Sequence, residues 1–259
     1  LYYIPKITIS LALLYPLGIA WLGFGLSFVF FYGLGKLLGW SKKLIGCLIV
    51  VGGLGNTSFV GFPVIEALYG KEGIETAIIV DQPGSFVVMS TLGIIVATSF
   101  SKETPSARTL LTKILKFPPF LAFFFGLMLN IAEIDFPTAL QSVFQRVGAT
   151  VSPVALVAVG LQLKFERRSL HWPFLGVGLL FKLMITPLFF FVLYKLVLGA
   201  DGLPIDVSII EAAMAPMITG AILASSYGLK PKLSNMMVGV GIPLSFVTLA
   251  LWYFILLQF

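Results

Sequence analysis

The chain has 259 residues, of which 58% are apolar and only 11% charged, with a formal net charge of +6 and a mean hydropathy of +1.03. A soluble domain carries about a quarter charged residues to cover its surface, so composition excludes a water-soluble globule and points to helices in a bilayer. The Lys and Arg residues sit in short clusters between apolar runs rather than along one face, which is an orientation signal and not a nucleic-acid surface.

A membrane crossing needs about 20 apolar residues. In chain order the candidates are Leu17 to Leu38, Leu44 to Tyr69, Ile74 to Phe100, Phe117 to Ala132, Thr138 to Leu163, Trp172 to Leu198, Val207 to Tyr227 and Met236 to Phe259. Leu1 to Leu14 is too short to cross and reads as the tail of a helix that starts earlier. The opening residues lack the basic, apolar, small-residue order of a signal peptide. Cys47 is a single cysteine and forms no intrachain disulfide.

Basic residues follow the first, third, fifth and seventh spans: Lys42 and Lys43; Lys102, Arg108, Lys113 and Lys116; Lys164, Arg167 and Arg168; Lys230 and Lys232. The other connections carry Glu72, Glu75, Glu133, Asp135, Asp201 and Asp206. By the positive-inside rule linkers 39–43, 101–116, 164–171 and 228–234 are expected in the cytoplasm, with the C-terminus outside. The expected location is a cell membrane, crossed many times, of the bacterial inner-membrane kind.

A search for repeats finds Asp81-Gln-Pro-Gly-Ser-Phe-Val-Val88 in the third span and Gly241-Ile-Pro-Leu-Ser-Phe-Val-Thr248 in the last. Pro83, Ser85, Phe86 and Val87 recur at a constant offset as Pro243, Ser245, Phe246 and Val247. The second and seventh spans match in kind, ending in Leu68-Tyr-Gly70 and Ser226-Tyr-Gly228. Equivalent spans lie five apart, an odd interval, so the halves have opposite orientation: an inverted repeat. The expected fold is therefore all-α and integral to the membrane, five plus five helices. Residues 1–100 form a first repeat lacking its beginning, 101–116 a cytoplasmic linker and 117–259 the second repeat.

The second span reads Gly52-Gly-Leu-Gly-Asn-Thr-Ser-Phe-Val-Gly-Phe-Pro63 and the seventh Met214-Ala-Pro216-Met-Ile-Thr219-Gly220. Proline removes a backbone donor and clashes with the preceding turn. Freed backbone groups are tolerated in a membrane only against protein or a wet cavity. One such interruption could be a packing kink, since glycine and proline are common in these helices. Two in equivalent positions point to a transporter's binding site, where half-helix N-termini face an anion. Asn56, Thr57, Ser58, Gly61, Pro63, Pro216, Thr219 and Gly220 are the substrate-binding candidates, led by Asn56 and Thr57.

Charges inside spans are costly and mark function or pairing. Asp81, beside Gln82 and Pro83, is a candidate for coupling to H+ or Na+. Lys182 either binds a substrate carboxylate or pairs with Asp81 or Glu211, and the residues leave both open. Arg146 is expected to reach the outer interface. His171 is the only histidine and lies in a linker, so a membrane-embedded serine hydrolase has no base. No metal-ligand cluster and no phosphate-cradling GxxxxGK loop occurs. Neither a catalytic residue nor a cofactor is expected, and the protein reads as no enzyme.

At the two breaks the sequence resembles the auxin efflux carrier family, which includes plant PIN-type carriers and bacterial permeases for malonate or malate. Asn56 through Pro63, continuing to Ala67-Leu-Tyr-Gly70, is similar to that family's first crossing helix, with Asn56 on its asparagine and Pro63 on its proline. Glu211-Ala-Ala-Met-Ala-Pro216 through Tyr227 and Lys230-Pro231 is similar to the second. There, Pro216 is shifted by one position and Gly220 stands where plant carriers have a second proline. The loop Ser101 to Lys116 is also short, and both departures favour the bacterial permease branch over an auxin carrier. The resemblance implies ten helices divided between a scaffold and a transport domain that holds the crossing helices. It also implies elevator-like alternating access and a small organic anion as cargo, with a homodimer as the assembly to test. Other readings are a sodium-coupled symporter of bile-acid type and, further off, a channel or receptor.

Overall fold

The computed structural model describes residues 11–101, 118–150, 153, 154, 157 and 171–259. The regular elements among them are helices, and four are long and apolar enough to cross a membrane: Leu14–Leu37, Thr57–Phe100, Trp172–Val197 and Pro231–Leu256. The segment Leu1 to Leu14, apart from its last four residues, the linker 101–116 apart from Ser101, most of 149–163 and the cluster Lys164 to Arg168 lie outside the described residues.

Helix α1 (Leu14–Leu37) is 24 residues without an acidic side chain. After Gly39, whose φ is +65°, Ser41 starts α2 (Lys42–Gly52) by accepting the Leu44 N–H on its hydroxyl at 3.4 Å, the usual service of an N-cap serine. The chain then breaks and resumes as a wide π-helical turn, Thr57–Gly61, leading into α3 (Phe62–Ile79). Gly70 interrupts α3 with φ +68° and ψ −163°. Only a residue without Cβ takes that conformation cheaply, and it separates the second and third spans within one 44-residue apolar run. Two further π turns, Val80–Phe86 and Met89–Gly93, precede α4 (Ile94–Phe100).

Helices α5 (Pro118–Ile131) and α6 (Thr138–Gly148) follow. No α6 residue is buried, and Arg146 is exposed. The span from Trp172 to Val197 consists of α7 (Trp172–Leu180), α8 (Thr186–Phe191) and π turns at Phe181–Ile185 and Val192–Val197. Pro187 has no N–H to offer the Leu183 carbonyl one turn back. The buried Trp252 indole donates to that oxygen instead, at 3.0 Å. This fixes the turn that carries Lys182 against the last helix.

The seventh span begins at Leu203 rather than Val207, because Pro204 suits the first turn of α9 (Leu203–Ala212). It breaks and resumes as α10 (Ile218–Ser226). Gly228 (φ +66°) and Lys230 (φ +50°) then reverse the chain. Helix α11 (Pro231–Leu256) starts five residues earlier than its hydropathy suggests, again on a proline in the first turn. The two Tyr-Gly endings, Tyr69-Gly70 and Tyr227-Gly228, thus both finish a half-helix in a left-handed glycine. One continuous core of buried side chains from α1, α2, α3, α7, α9, α10 and α11 surrounds the two breaks.

Candidate functional site: two broken helices joined backbone to backbone

Between α2 and the Thr57 turn, and between α9 and α10, the extended residues pair with each other. The Asn56 N–H donates to the Ala215 carbonyl at 2.7 Å, and the Met217 N–H donates to the Leu54 carbonyl at 3.1 Å. Gly55 and Pro216 face one another in this short antiparallel bridge. They occupy a narrow pair flanked by two hydrogen bonds, where neither residue's own N–H is called on. Proline therefore fits at 216 without an unpaired donor. Glycine fits at 55, where a Cβ would lie 3.1 Å from the Glu211 carbonyl and 3.3 Å from Lys182 Nζ. On the far side, the last helix touches the bridge at Gly241, where a Cβ would come within 2.7 Å of the Pro216 ring.

Four helix ends meet at this bridge: the C-terminal ends of α2 and α9, and the starts of the Thr57 turn and of α10. Asn56 caps the Thr57 turn, its Oδ1 accepting the Phe59 N–H at 3.2 Å while its carbonyl accepts the Gly61 N–H at 2.9 Å. Its Nδ2 is buried without a hydrogen-bond partner. The Thr57 hydroxyl donates to Asp81 Oδ1 at 2.6 Å, and the Gln82 amide donates to Asp81 Oδ2 at 2.5 Å. Asp81 is 2% exposed. The π turn at Val80–Phe86, built around Pro83, directs its carboxylate at the break.

Lys182, buried among apolar side chains, donates from Nζ to the Ala212 carbonyl at 2.9 Å. It forms no ion pair within 4 Å among the described residues, unlike Lys195, which pairs with Asp201 and Asp206. Of the two roles left open for Lys182, a direct pair with Asp81 or Glu211 is not formed, and its ammonium bonds instead to the open end of α9, where the helix dipole is negative. Glu211 is fully buried, and neither of its carboxylate oxygens has a hydrogen-bond partner. Those oxygens lie against Gly61, where a Cβ would come within 2.6 and 2.8 Å of them.

The sequence-derived residues are therefore unequal. Asn56, Thr57, Asp81 and Gln82 form one connected chain. Lys182, Glu211, Gly61 and Pro216 surround the bridge. Pro63 sits in the first turn of α3 and leaves it intact, as proline does where the N–H has no helical partner. Gly220 serves contact between half-helices, where a Cβ would lie 3.2 Å from the Val50 carbonyl. Ser58 and Thr219 are half-buried beside the breaks.

Sequence reasoning missed Gly55, Ala215 and Gly241, whose roles depend on backbone approach. The only signal for them was the run of small residues. It also passed over Lys195, which lies near the end of its span and bridges Asp201 and Asp206 at 2.5 and 2.9 Å. Outside the membrane-spanning helix, the Lys195 ammonium and the Gly202 N–H hold the Asp201 carboxyl below the usual carboxylate range.

Two relatives align with this chain over most of their length. A protein of Methanocaldococcus jannaschii named an uncharacterized transporter is 29% identical over 237 residues, covering 88% of this chain and 74% of the relative. Another uncharacterized transporter, from Methanothermobacter thermautotrophicus, is 28% identical over 212 residues, covering 81% of this chain and 67% of the relative. The profile of the membrane transport protein family matches residues 6–253. With its paired broken helices and this match along nearly the whole sequence, the chain belongs to the membrane transport proteins of the auxin efflux carrier type.

Proposed function

We propose that the protein is a secondary transporter that moves a small organic anion, a carboxylate, by elevator-like alternating access, with the broken-helix bridge as the carrier site. The observation that carries this reading is the bridge itself together with the unpartnered Asn56 Nδ2 beside it. The helix starts at Thr57 and Ile218 turn positive dipole ends toward the crossing, Asn56 offers a free N–H, and Lys182 adds a buried basic group nearby. An anion meets donors there that the lipid hydrocarbon cannot supply.

The inverted five-plus-five repeat is part of this proposal. It is supported by the mutual pairing of the two breaks and by the left-handed glycines that end Tyr69-Gly70 and Tyr227-Gly228. Asp81, tied to the first break through Thr57, is the group proposed to couple transport to a gradient of H+ or Na+. In this reading the basic connections face the cytoplasm of the cell membrane and the C-terminus faces outward.

The test is counterflow of labelled malonate, malate and related small carboxylates in proteoliposomes. Saturable uptake accelerated by unlabelled carboxylate on the opposite side is expected. Ohmic anion current without counterflow would identify a channel and sink the proposal.

A further inference from the structure

We propose that the Glu211 carboxylate holds one exchangeable alkali metal cation at the bridge, loaded together with the anionic cargo. The inference rests on the bridge being the transport site and names a second ligand for it.

Glu211 stands in the last turn of α9, where the helix dipole is negative and a carboxylate is unfavourable. It is fully buried with both oxygens free of hydrogen-bond donors. The ammonium that could relieve it is committed elsewhere: Lys182 Nζ caps Ala212. The charged groups that act on Glu211 are Asp81 and Lys182. With both carboxyls ionised, one ammonium in this buried space leaves one negative charge uncompensated, and such a charge is far too costly to persist without a bound proton or cation. Asp81 already receives the Thr57 hydroxyl and the Gln82 amide, so the missing positive charge falls to Glu211.

A metal ion suits the geometry better than a proton does. A proton satisfies one carboxylate oxygen, whereas a cation engages both at once. Gln82, bonded to Asp81, also carries a buried acceptor, Oε1, with no partner. Unwound carbonyls and C-terminal half-helix ends are the oxygen ligands that broken membrane helices offer to cations. Gly61 lets the carboxylate approach the backbone of the first break closely, since a Cβ there would sit 2.6 Å from Oε2.

The experiment measures the thermal unfolding midpoint of purified, detergent-solubilised protein in NaCl, KCl and LiCl against choline chloride at equal ionic strength and several fixed pH values. The wild type is expected to show a saturable rise of several degrees in one alkali salt. Glu211→Gln should unfold at a midpoint indifferent to the cation. Gly61→Ala, which keeps the charge but crowds it, should need at least tenfold more salt for the same rise, and it stands in if Glu211→Gln does not fold. A wild-type midpoint that depends on pH alone, equal in alkali and choline salts, overturns the proposal in favour of a proton. An alkali response undiminished in Glu211→Gln overturns it too. The readout needs no cargo, so loss of the cation response with counterflow intact removes this inference alone, and the reverse removes the transport reading alone.

Discussion

Lys182 donates to the carbonyl of Ala212 across 2.9 Å, spending a buried ammonium on a backbone oxygen at the broken end of α9. The carbonyl has lost its helical partner because the chain turns into the bridge three residues later. Lys182→Met keeps the length and apolar stem but leaves that oxygen orphaned, at about 1–3 kcal/mol. It also removes the basic group that acts on Glu211. We expect a lower unfolding midpoint and no anion uptake in proteoliposomes. Uptake at wild-type level from Lys182→Met would remove this lysine from the carrier site.

The bond from Thr57 to Asp81 joins the first break to the third span at 2.6 Å. Thr57→Ser keeps the hydroxyl and should retain gradient-driven uptake. Thr57→Val keeps the shape and removes the donor, leaving a buried carboxylate one bond short, at about 1–3 kcal/mol. Its uptake should fall at least tenfold, and Asp81→Asn should transport by counterflow while losing acceleration by an H+ or Na+ gradient. Equal gradient dependence in Asp81→Asn and wild type would place coupling elsewhere.

Much of this site is written locally in the sequence, and part of it is not. The breaks themselves are legible because glycine, proline and small polar residues in mid-span contradict an uninterrupted helix. Asp81 and Lys182 stand out because charge in hydrocarbon needs a reason. What periodicity cannot convey is pairing between distant backbones. The bonds from Asn56 to Ala215 and from Met217 to Leu54 join halves of the chain more than half its length apart, and backbone groups carry no side-chain signature. The partner of Lys182 was missed for the same reason: charges suggest charges, and a carbonyl is invisible in sequence. Helix starts at Leu203 and Pro231 were placed too late because hydropathy weighs polar first-turn residues against a helix that proline in fact favours.

Gly70 is the hinge between the second and third spans, with φ +68° and open space around the position of a Cβ. Gly70→Ala therefore meets no clash, and its cost is the backbone conformation alone, about 1–3 kcal/mol for a region essentially confined to glycine. The unfolding midpoint should drop while ligand affinity stays near wild type, because the residue is remote from the bridge. A neutral Gly70→Ala would mean that the turn relaxes to a different conformation.

At the membrane edge, Asp201 is exposed and its carboxyl is held low chiefly by the Lys195 ammonium and then by the Gly202 N–H. A carboxylate whose folded pKa is lowered stabilises the fold above its ordinary pKa of about 4 and loses that contribution as pH falls through the lower folded value. Asp201→Asn should flatten the part of the stability profile that lies between those two values and leave the neutral-pH uptake rate unchanged. Stability profiles of wild type and Asp201→Asn that coincide below pH ~4 and above it would show that the bridge adds nothing.

Asn56 separates two roles within one side chain. Its Oδ1 caps the Thr57 turn by accepting the Phe59 N–H, while its Nδ2 has no partner and remains available to a ligand. Asn56→Ala removes both, so a loss of binding there could arise from a frayed turn, at about 1 kcal/mol for the missing cap. Asn56→Ser keeps a capping oxygen and deletes only the amide N–H groups. We expect Asn56→Ser to unfold within about 1 kcal/mol of wild type and to lose the stabilisation that a saturating carboxylate gives the wild-type protein. If Asn56→Ser binds the carboxylate as tightly as wild type, the free amide is not the ligand donor, and the positive helix starts at Thr57 and Ile218 must hold the anion without it.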